Sequence, residues 1–143
     1  YVWNAIIHTF KKNKVKSKLL KSVNYVNQDI KKFNLEIIES KILKKKSKIG
    51  IIGLSFKKGS DDVRDTPSYY YIKNMLQMGY TNIYVYDEIA LESFKKNYPN
   101  LEINYCKSIK EIISKTSNII LLTNVSKIKI FKNKKIIDLK YQI

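Results

Sequence analysis

Cysteine and arginine are almost absent from this chain, and long apolar runs are absent altogether. Cys106 is the only cysteine, so no internal disulfide or multi-cysteine metal site can form, which fits a reducing cytoplasm. No run of about 18 apolar residues occurs, which argues against a transmembrane helix, and the first residues lack the features of a signal peptide. His8 has no second ligand at metal-binding spacing. We therefore expect a cytoplasmic protein without a metal or a membrane span.

The charge is strongly one-sided, with 28 lysine and arginine residues against 12 aspartate and glutamate residues and a net charge of +16. Such an excess would suit a nucleic-acid partner. However, Arg64 is the only arginine, and the lysines are spread along the whole chain instead of forming one stripe. Together with the frequent Ile and Asn, this preference for lysine indicates drift towards AT-rich codons and not selection for a phosphate-binding surface. We expect no nucleic-acid partner, and a basic nucleic-acid-binding domain is the least favoured alternative.

The first third of the chain is predicted to be helical. Apolar residues at steps of three to five predict a long amphipathic helix over residues 15–43, and a shorter helix is predicted over residues 3–11. The apolar stripe of the long helix consists of Val15, Leu19, Val23, Val26, Ile30, Phe33, Ile37 and Ile42, widened by Leu20 and Ile38. We assign residues 1–46 to this helical region.

From residue 48 onward, short β-branched runs alternate with helical patterns of roughly ten residues. Thr66 is predicted to cap a helix that starts at Pro67 and ends near Gly79. Further helices are predicted over residues 89–97 and 108–115. Strands are predicted over residues 48–53, 82–87, 118–123 and 135–139, with a shorter one at 102–106.

This alternation predicts an α/β fold, a Rossmann-like doubly wound parallel sheet preceded by the long amphipathic helix. We assign residues 47–143 to the sheet domain. Ligands of such sheets bind beyond the carboxyl ends of the strands. Functional residues are therefore expected in the segments 53–64, 87–88, 123–127 and 138–142.

The glycines after the first strand give only a partial dinucleotide signal. Gly50 and Gly53 form GIIG, which is not the full G-x-G-x-x-G fingerprint, and Asp87 after the second strand is merely suggestive of a ribose-binding carboxylate. From these residues alone, a Rossmann-like sheet without its own NAD site is the better interpretation.

The loop that follows, FKKGSDDVR, combines three cations, two carboxylates and one aromatic ring. Lys57 and Arg64 offer the positive charge that a phosphate needs, and Phe56 offers a flat surface to a base or ribose. The carboxylates of Asp61 and Asp62 are placed to hold the cations. An ordinary solvated loop with a salt bridge is the alternative that the residues leave open.

The stretch GLSFKKGSDDVRDTPS resembles the signature of the UDP-glucose/GDP-mannose dehydrogenase family. The resemblance covers essentially the whole chain. SVNYVNQDIKKFNLEIIESKI is similar to the end of that family's long central helix, NIYVYDE to its second strand, and KKIIDLKYQI to its closing stretch. The resemblance implies the C-terminal UDP-binding part of an NAD-dependent UDP-sugar 6-dehydrogenase, an enzyme that oxidises the C6 hydroxyl of the sugar to a carboxylate.

The same resemblance implies roles for particular residues. Phe56 and Lys57 match residues that contact the UDP-sugar, and Arg64 matches an arginine that reaches towards NAD in the neighbouring domain. Lys140 stands where the family has a substrate-binding arginine, so it keeps the charge and loses the bidentate fork. The implied partners are a UDP-sugar and NAD, the latter bound mainly by a domain outside this chain.

The family's catalytic cysteine is expected a few residues before Tyr1, and Cys106 is no substitute because no glycine-rich loop surrounds it. We therefore expect no catalytic residue in this chain and no activity from the chain alone. In the family the long helix forms the dimer interface, which implies a homodimer. The alternative is a non-catalytic dimerisation or binding module from a truncated gene. Which UDP-sugar is used does not follow from these residues.

Overall fold

The computed structural model describes residues 9, 10, 12, 18–124 and 128–140. The helices are α1 (Lys18–Lys41), α2 (Pro67–Gln77), α3 (Leu91–Asn97), α4 (Ile109–Lys115) and a 3-10 helix (Ile128–Phe131). The strands are β1 (Ile49–Ile52), β2 (Ile83–Tyr86), β3 (Asn104–Tyr105), β4 (Asn118–Leu121) and β5 (Lys135–Asp138). Within these described stretches, no helix combines the length and apolarity that crossing a membrane requires.

The five strands form one parallel sheet in the order β3-β2-β1-β4-β5. In the central strand, Ile49 pairs with Ile83 of β2 on one side and with Asn118 of β4 on the other. All four residues of β1 are buried, because hydrophobic clusters cover both faces of the sheet. The strand order reverses between β1 and β4, as in Rossmann-like sheets. The predicted fold class is confirmed.

Successive residues of the inner strands belong to opposite faces of the sheet, as strand geometry requires. Ile51 and Ile120 lie in the larger cluster, which also contains Ile72, Met75 and Phe94 from the helices. Their neighbours Ile52, Ile119 and Leu121 lie in a smaller cluster that Ile112 and Phe131 complete. The helices α1, α2 and α3 therefore share one face of the sheet, and α4 and the 3-10 helix share the other.

The predicted apolar stripe of α1 is buried at one end and exposed at the other. Val26, Ile30 and Phe33 are 55%, 51% and 57% exposed, whereas Leu35 is buried beside the predicted Ile38 and Ile42. The periodicity of a helix shows where its apolar residues lie, and the position of the sheet decides which of them are covered. Val15 and most of the predicted helix over 3–11 lie outside the described residues.

Among the described side chains, residues of the C-terminal half of α1 fix the helix to the sheet domain. Ile38 and Ile42 are fully or almost fully buried in the larger cluster. Just beyond the helix, Tyr80 Oη donates a hydrogen bond of 2.7 Å to the carbonyl of Ile42, and Asn82 Nδ2 donates one of 3.0 Å to the carbonyl of Lys46. The C-terminal end of α1 is therefore part of the larger hydrophobic cluster of the sheet domain.

The predicted start and end of α2 are both confirmed. Thr66 caps the helix through its side-chain oxygen, which accepts from the N–H of Tyr69, and Pro67 is the first helical residue. Gly79 follows the helix at a φ of +88°, and its N–H donates to the carbonyl of Leu76. The strands end one or two residues earlier than predicted, and the 3-10 helix was not predicted.

A close contact at the end of β1 generates a stability prediction. An ideal Cβ on Gly53 would lie 2.7 Å from Cβ of Thr123 and 2.9 Å from its backbone nitrogen, at a φ of +102°. We expect Gly53→Ala to lower the free energy of unfolding by about 3–5 kcal/mol, through backbone strain and overpacking together. Urea unfolding monitored by circular dichroism measures this change.

Gly59→Ala is the matched control, since Gly59 has a φ of +79° with no atom within 4 Å of an added Cβ. It should cost only the backbone term of about 1–2 kcal/mol. Equal losses in the two variants would contradict the close approach of Thr123.

Candidate functional site

The loop between β1 and α2 is fixed at both ends and exposed in between. Leu54 and Val63 are buried, and Tyr98 Oη donates to the carbonyl of Val63 at 2.7 Å. Within the loop, the N–H of Phe56 donates to the carbonyl of Asp62 at 3.0 Å. The loop therefore closes on itself, and the Phe56 ring is 66% exposed on its surface.

Asp87 connects this loop to the end of β2. Its Oδ2 accepts from the backbone N–H groups of Leu54 at 2.8 Å and Ser55 at 3.4 Å. Its Oδ1 accepts from those of Ile89 at 3.0 Å and Ala90 at 2.9 Å. Both oxygens are thus engaged by main chain. The suggestion that Asp87 binds a ribose is not supported, because its place in the fold is that of a structural anchor.

Arg64 is held by a carboxylate of its own loop, as predicted. Its Nε and Nη2 donate to the two oxygens of Asp62 at 2.9 and 2.8 Å, and its backbone N–H donates at 3.1 Å. The Arg64 guanidinium holds the pKa of the Asp62 carboxyl well below its usual range. The Arg64 side chain is 62% exposed, so the ion pair fixes its direction at the surface.

A cavity of about 610 Å³ opens between the middle of α1 and the carboxyl ends of β1, β4 and β5. We call it the α1 cavity. It brings together residues that are distant in sequence, since Phe56 from the β1 loop and Lys140 after β5 both line it. Pro67 and Ser68 contribute the start of α2. Lys140 is exposed, and its backbone N–H donates to Asp138 Oδ1 at 2.8 Å.

One wall of the α1 cavity is polar and comes entirely from α1. Its polar lining residues follow helical spacing, which places them on one face: Asn24, Asn27, Gln28, Lys31 and Asn34. Sequence reasoning missed this face because it followed the apolar stripe. The signal that could have revealed it is the recurrence of side-chain amides at the same steps of three and four.

Asn34 is the deepest of these amides, at 6% exposure. Its Nδ2 donates to Tyr71 Oη at 3.0 Å, and its Oδ1 has no hydrogen-bond partner. A buried polar atom without a partner costs about 1–3 kcal/mol. Asn34 therefore combines an unsatisfied buried oxygen with a place in the cavity lining.

Lys31 is the only cation among the α1 lining residues of the described chain, and it is already engaged. Its Nζ lies 3.9 Å from Asp65 Oδ1 and 5.7 Å from the centre of the Tyr70 ring. The unbalanced positive charge among the described lining residues is consequently that of Lys140, which follows β5.

The four residues predicted to contact substrate or cofactor are divided by the structure. Phe56 and Lys140 share the α1 cavity, whereas Lys57 and Arg64 lie outside its lining. Lys57 is exposed, and its carbonyl accepts from Ser55 Oγ at 2.8 Å. Within the segments expected to carry function, residues 125–127 and 141–142 lie outside the described residues.

A second cavity of about 580 Å³ lies on the other side of the β1 loop. We call it the β2 cavity. It is lined by the carboxyl ends of β1, β2 and β4 together with Lys58, Glu88, Ile89, Ile109 and Ile130. Gly53 and Ser55 line both cavities, so one short stretch of main chain separates them.

Cys106 has no features of a nucleophile. Its side chain is fully buried, and burial raises the pKa of its thiol. Among the described residues, no group of three or more His, Cys, Asp or Glu side chains could hold a metal ion.

A parallel sheet in this order, with cavities at the carboxyl ends of its strands, defines a Rossmann-like α/β domain. The family model described as "UDP-glucose/GDP-mannose dehydrogenase family, UDP binding domain" matches residues 50–142. The chain therefore belongs to the UDP-glucose/GDP-mannose dehydrogenase family.

Relatives with curated names agree with this assignment. The chain is 32% identical over 139 residues to a UDP-glucose 6-dehydrogenase of Rickettsia bellii, which covers 95% of this chain and 31% of the relative. It is 23% identical over 120 residues to the UDP-glucose 6-dehydrogenase AglM of Haloferax volcanii, covering 84% of this chain and 27% of the relative. The chain thus spans less than a third of the length of these relatives.

Solved structures share the fold. A UDP-glucose dehydrogenase of Pyrobaculum islandicum superimposes with a TM-score of 0.81 at 20% identity, over 95% of this chain and 32% of that one. A GDP-mannose dehydrogenase of Pseudomonas aeruginosa gives a TM-score of 0.78 at 20% identity, over 96% of this chain and 34% of that one.

The anchor role of Asp87 generates a prediction. Asp87→Asn replaces one of two accepting oxygens by a donor, so two of the four backbone N–H groups lose their partner. We expect a loss of about 2–4 kcal/mol in the free energy of unfolding, and faster hydrogen exchange at the affected amides. Asp61→Asn is the control, because Asp61 is exposed in the same loop, and should change stability by no more than about 0.5 kcal/mol. Equal effects of the two changes would refute the anchor.

Proposed function

We propose that the chain is the nucleotide-sugar-binding part of an NAD-dependent UDP-sugar 6-dehydrogenase, which converts UDP-glucose or a UDP-N-acetylhexosamine to the uronate. The family model and the named relatives support the class. The observation that carries the proposal is the α1 cavity, because it gathers Phe56 and Lys140 at the end of the sheet where ligands of this fold bind. We further propose that the enzyme is cytoplasmic and supplies precursors for polysaccharide synthesis.

In this proposal each site residue has a separate task. Phe56 packs its exposed ring against the base or ribose, since an aromatic side chain offers a flat apolar surface. Lys140 neutralises the diphosphate from the cavity wall, and Lys57 approaches it from the loop. Because lysine carries a point charge and not a planar fork, Lys140 binds phosphate with less directional selectivity than an arginine would.

Bound in a neighbouring domain, NAD would supply the hydride acceptor for this oxidation, and Arg64 is the residue of this chain that would face it. The Arg64 guanidinium suits an anionic cofactor, because Asp62 fixes its direction while leaving it exposed. The sheet domain itself does not fit a dinucleotide of its own, since both oxygens of Asp87 already bind main chain. Cys106 is too deeply buried to serve as the catalytic cysteine of this chemistry.

We expect UDP to raise the melting temperature of the chain. At a concentration ten times its dissociation constant, UDP should add about 1.4 kcal/mol of stability, a shift of several degrees. Phe56→Ala and Lys140→Ala should reduce the shift, and Lys96→Ala, which removes an exposed lysine of α3, should leave it unchanged. Differential scanning fluorimetry measures all four proteins, with inorganic pyrophosphate as the control for unspecific attraction to the basic surface.

The result that contradicts binding is the absence of any shift at millimolar UDP. If K140A and K96A reduce the UDP-induced shift equally, Lys140 has no special role in binding. The proposal that the chain binds UDP would still stand in that case.

A second candidate function, assembly through α1, is favoured by one observation. Tyr25, Val26, Ile30 and Phe33 are between 51% and 71% exposed and lie close together on the helix. Large apolar side chains grouped on a surface are typical of interfaces. We propose that this surface pairs with a second copy of the chain, either within the dehydrogenase or as a non-catalytic module.

Light scattering coupled to size exclusion should therefore give the mass of a dimer. Phe33→Lys should shift the chain towards the monomer, because it places a charge within the apolar surface. Leu43→Lys is the control, since Leu43 is 80% exposed beyond the helix and outside this surface. A monomer at all concentrations, or equal effects of the two variants, would exclude pairing through α1.

A further inference from the structure

Ser68, the second residue of α2, is 2% exposed and binds the main chain at the start of the β1 loop. Its Oγ donates to the carbonyl of Leu54 at 2.8 Å and lies 2.7 Å from Oγ1 of Thr66. A serine hydroxyl has one hydrogen to donate, so Thr66 is the donor in the second contact. The helix cap therefore holds the Ser68 hydroxyl on one side, and its hydrogen is directed at the carbonyl of Leu54 on the other.

The carbonyl of Leu54 and the N–H of Ser55 belong to one peptide group, and side chains bind both of its ends. Ser68 donates to the carbonyl. Asp87 Oδ2 accepts from the N–H of Ser55 at 3.4 Å and from that of Leu54 at 2.8 Å. Because a peptide group is planar, fixing its oxygen and its N–H fixes its rotation, and with it the direction in which the chain continues to Phe56. The end of β2 and the start of α2 thus set this direction together.

The place of the Phe56 ring follows from its main chain. Phe56 is 66% exposed, so few protein atoms surround the ring, and its N–H donates to the carbonyl of Asp62 within the same loop. The helix behind the loop is firmly placed, because Ile72 and Met75 of α2 are fully buried in the larger cluster. The Ser68 hydroxyl therefore connects a fixed helix to the stretch of main chain that carries an exposed ring.

We infer that Ser68 is a positioning residue for nucleotide binding, because it fixes the main chain from which Phe56 reaches the base or ribose. This inference rests on the proposed function, in which the α1 cavity receives the UDP part of a nucleotide sugar. Ser68 and Phe56 both line that cavity. Since the Ser68 hydroxyl donates to main chain, it acts through Phe56 and not through its own contact with the ligand.

Ser68→Ala tests this role, because it leaves the carbonyl of Leu54 without its donor. We expect the dissociation constant for UDP to rise about two- to ten-fold, since the loss is limited to what the contact of an aromatic ring contributes. Calorimetry measures the constant at a temperature where circular dichroism shows both proteins folded. A purely structural role would lower the melting temperature and leave the dissociation constant of the folded protein unchanged.

A double-mutant cycle with Phe56→Ala shows whether Ser68 acts through the ring. Once the ring is removed, its position no longer matters. In the Phe56→Ala background, Ser68→Ala should therefore leave the dissociation constant for UDP unchanged within about two-fold. Equal weakening by Ser68→Ala in both backgrounds would overturn the inference.

Thr116→Val is the matched control. Thr116 is 3% exposed, and its Oγ1 donates to the carbonyl of Ile112 at 2.6 Å. It precedes β4 and lines neither cavity, so the change removes a buried hydroxyl at the opposite end of the sheet and should leave UDP binding unchanged. A loss of affinity equal to that of S68A would contradict the role of Ser68. If S68A does not fold, Ser68→Cys replaces it, because a thiol is a weaker donor, and must also weaken UDP binding.

Hydrogen exchange of the ligand-free chain gives a readout that needs no nucleotide. In S68A the amide of Phe56, which donates to Asp62, should exchange several-fold faster relative to the amides of β4, which report more global opening. An unchanged ratio overturns the inference. If the wild-type chain binds UDP and S68A keeps its affinity, the inference alone fails. If the wild-type chain binds no UDP, the proposed function fails, and the role of Ser68 in nucleotide binding fails with it.

Discussion

The Asp87 carboxylate accepts hydrogen bonds from the backbone of two different loops, and the geometry of both cavities depends on it. Its two oxygens join the start of the β1 loop to the turn after β2. Gly53 and Ser55, in that joined stretch, line the α1 cavity on one side and the β2 cavity on the other. Because charge-assisted bonds to main chain are strong and directional, one side chain fixes the common wall of both spaces.

The elements that local chemistry determines were predictable, and those that depend on the neighbours were not. The cap at Thr66, the glycine turn at Gly79 and the buried run of β1 are each specified by adjacent residues, and all are confirmed. The covered face of α1 depends instead on where the sheet lies, so the apolar stripe through Val26 and Phe33 could be located in the sequence but not assigned to the sheet or to the surface. Periodicity locates apolar residues and does not say what covers them.

The candidate site was predictable to a similar extent. The signature around Phe56 and the position of Lys140 were recognisable in the sequence, and the structure places both in one cavity. Neither the anchoring by Asp87 nor the buried amide of Asn34 was predictable, because both depend on partners that sequence patterns do not display. The partners of Asp87 are backbone amides, and the defining feature of Asn34 is an oxygen that has none.

The attachment of α1 has a mechanical consequence. The helix is held at Ile38 and Ile42, while Asn24, near the far end of the amide wall, lies roughly 21 Å away along the axis. Between these positions, Asn34 donates to Tyr71 Oη and Lys31 lies 3.9 Å from Asp65 Oδ1, so the helix is also held beside the cavity. Because the helix is a stiff rod, a tilt of about 3° about its core contacts would displace Asn24 by about 1 Å over this length, and the width of the cavity mouth depends on the core contacts and these polar contacts together.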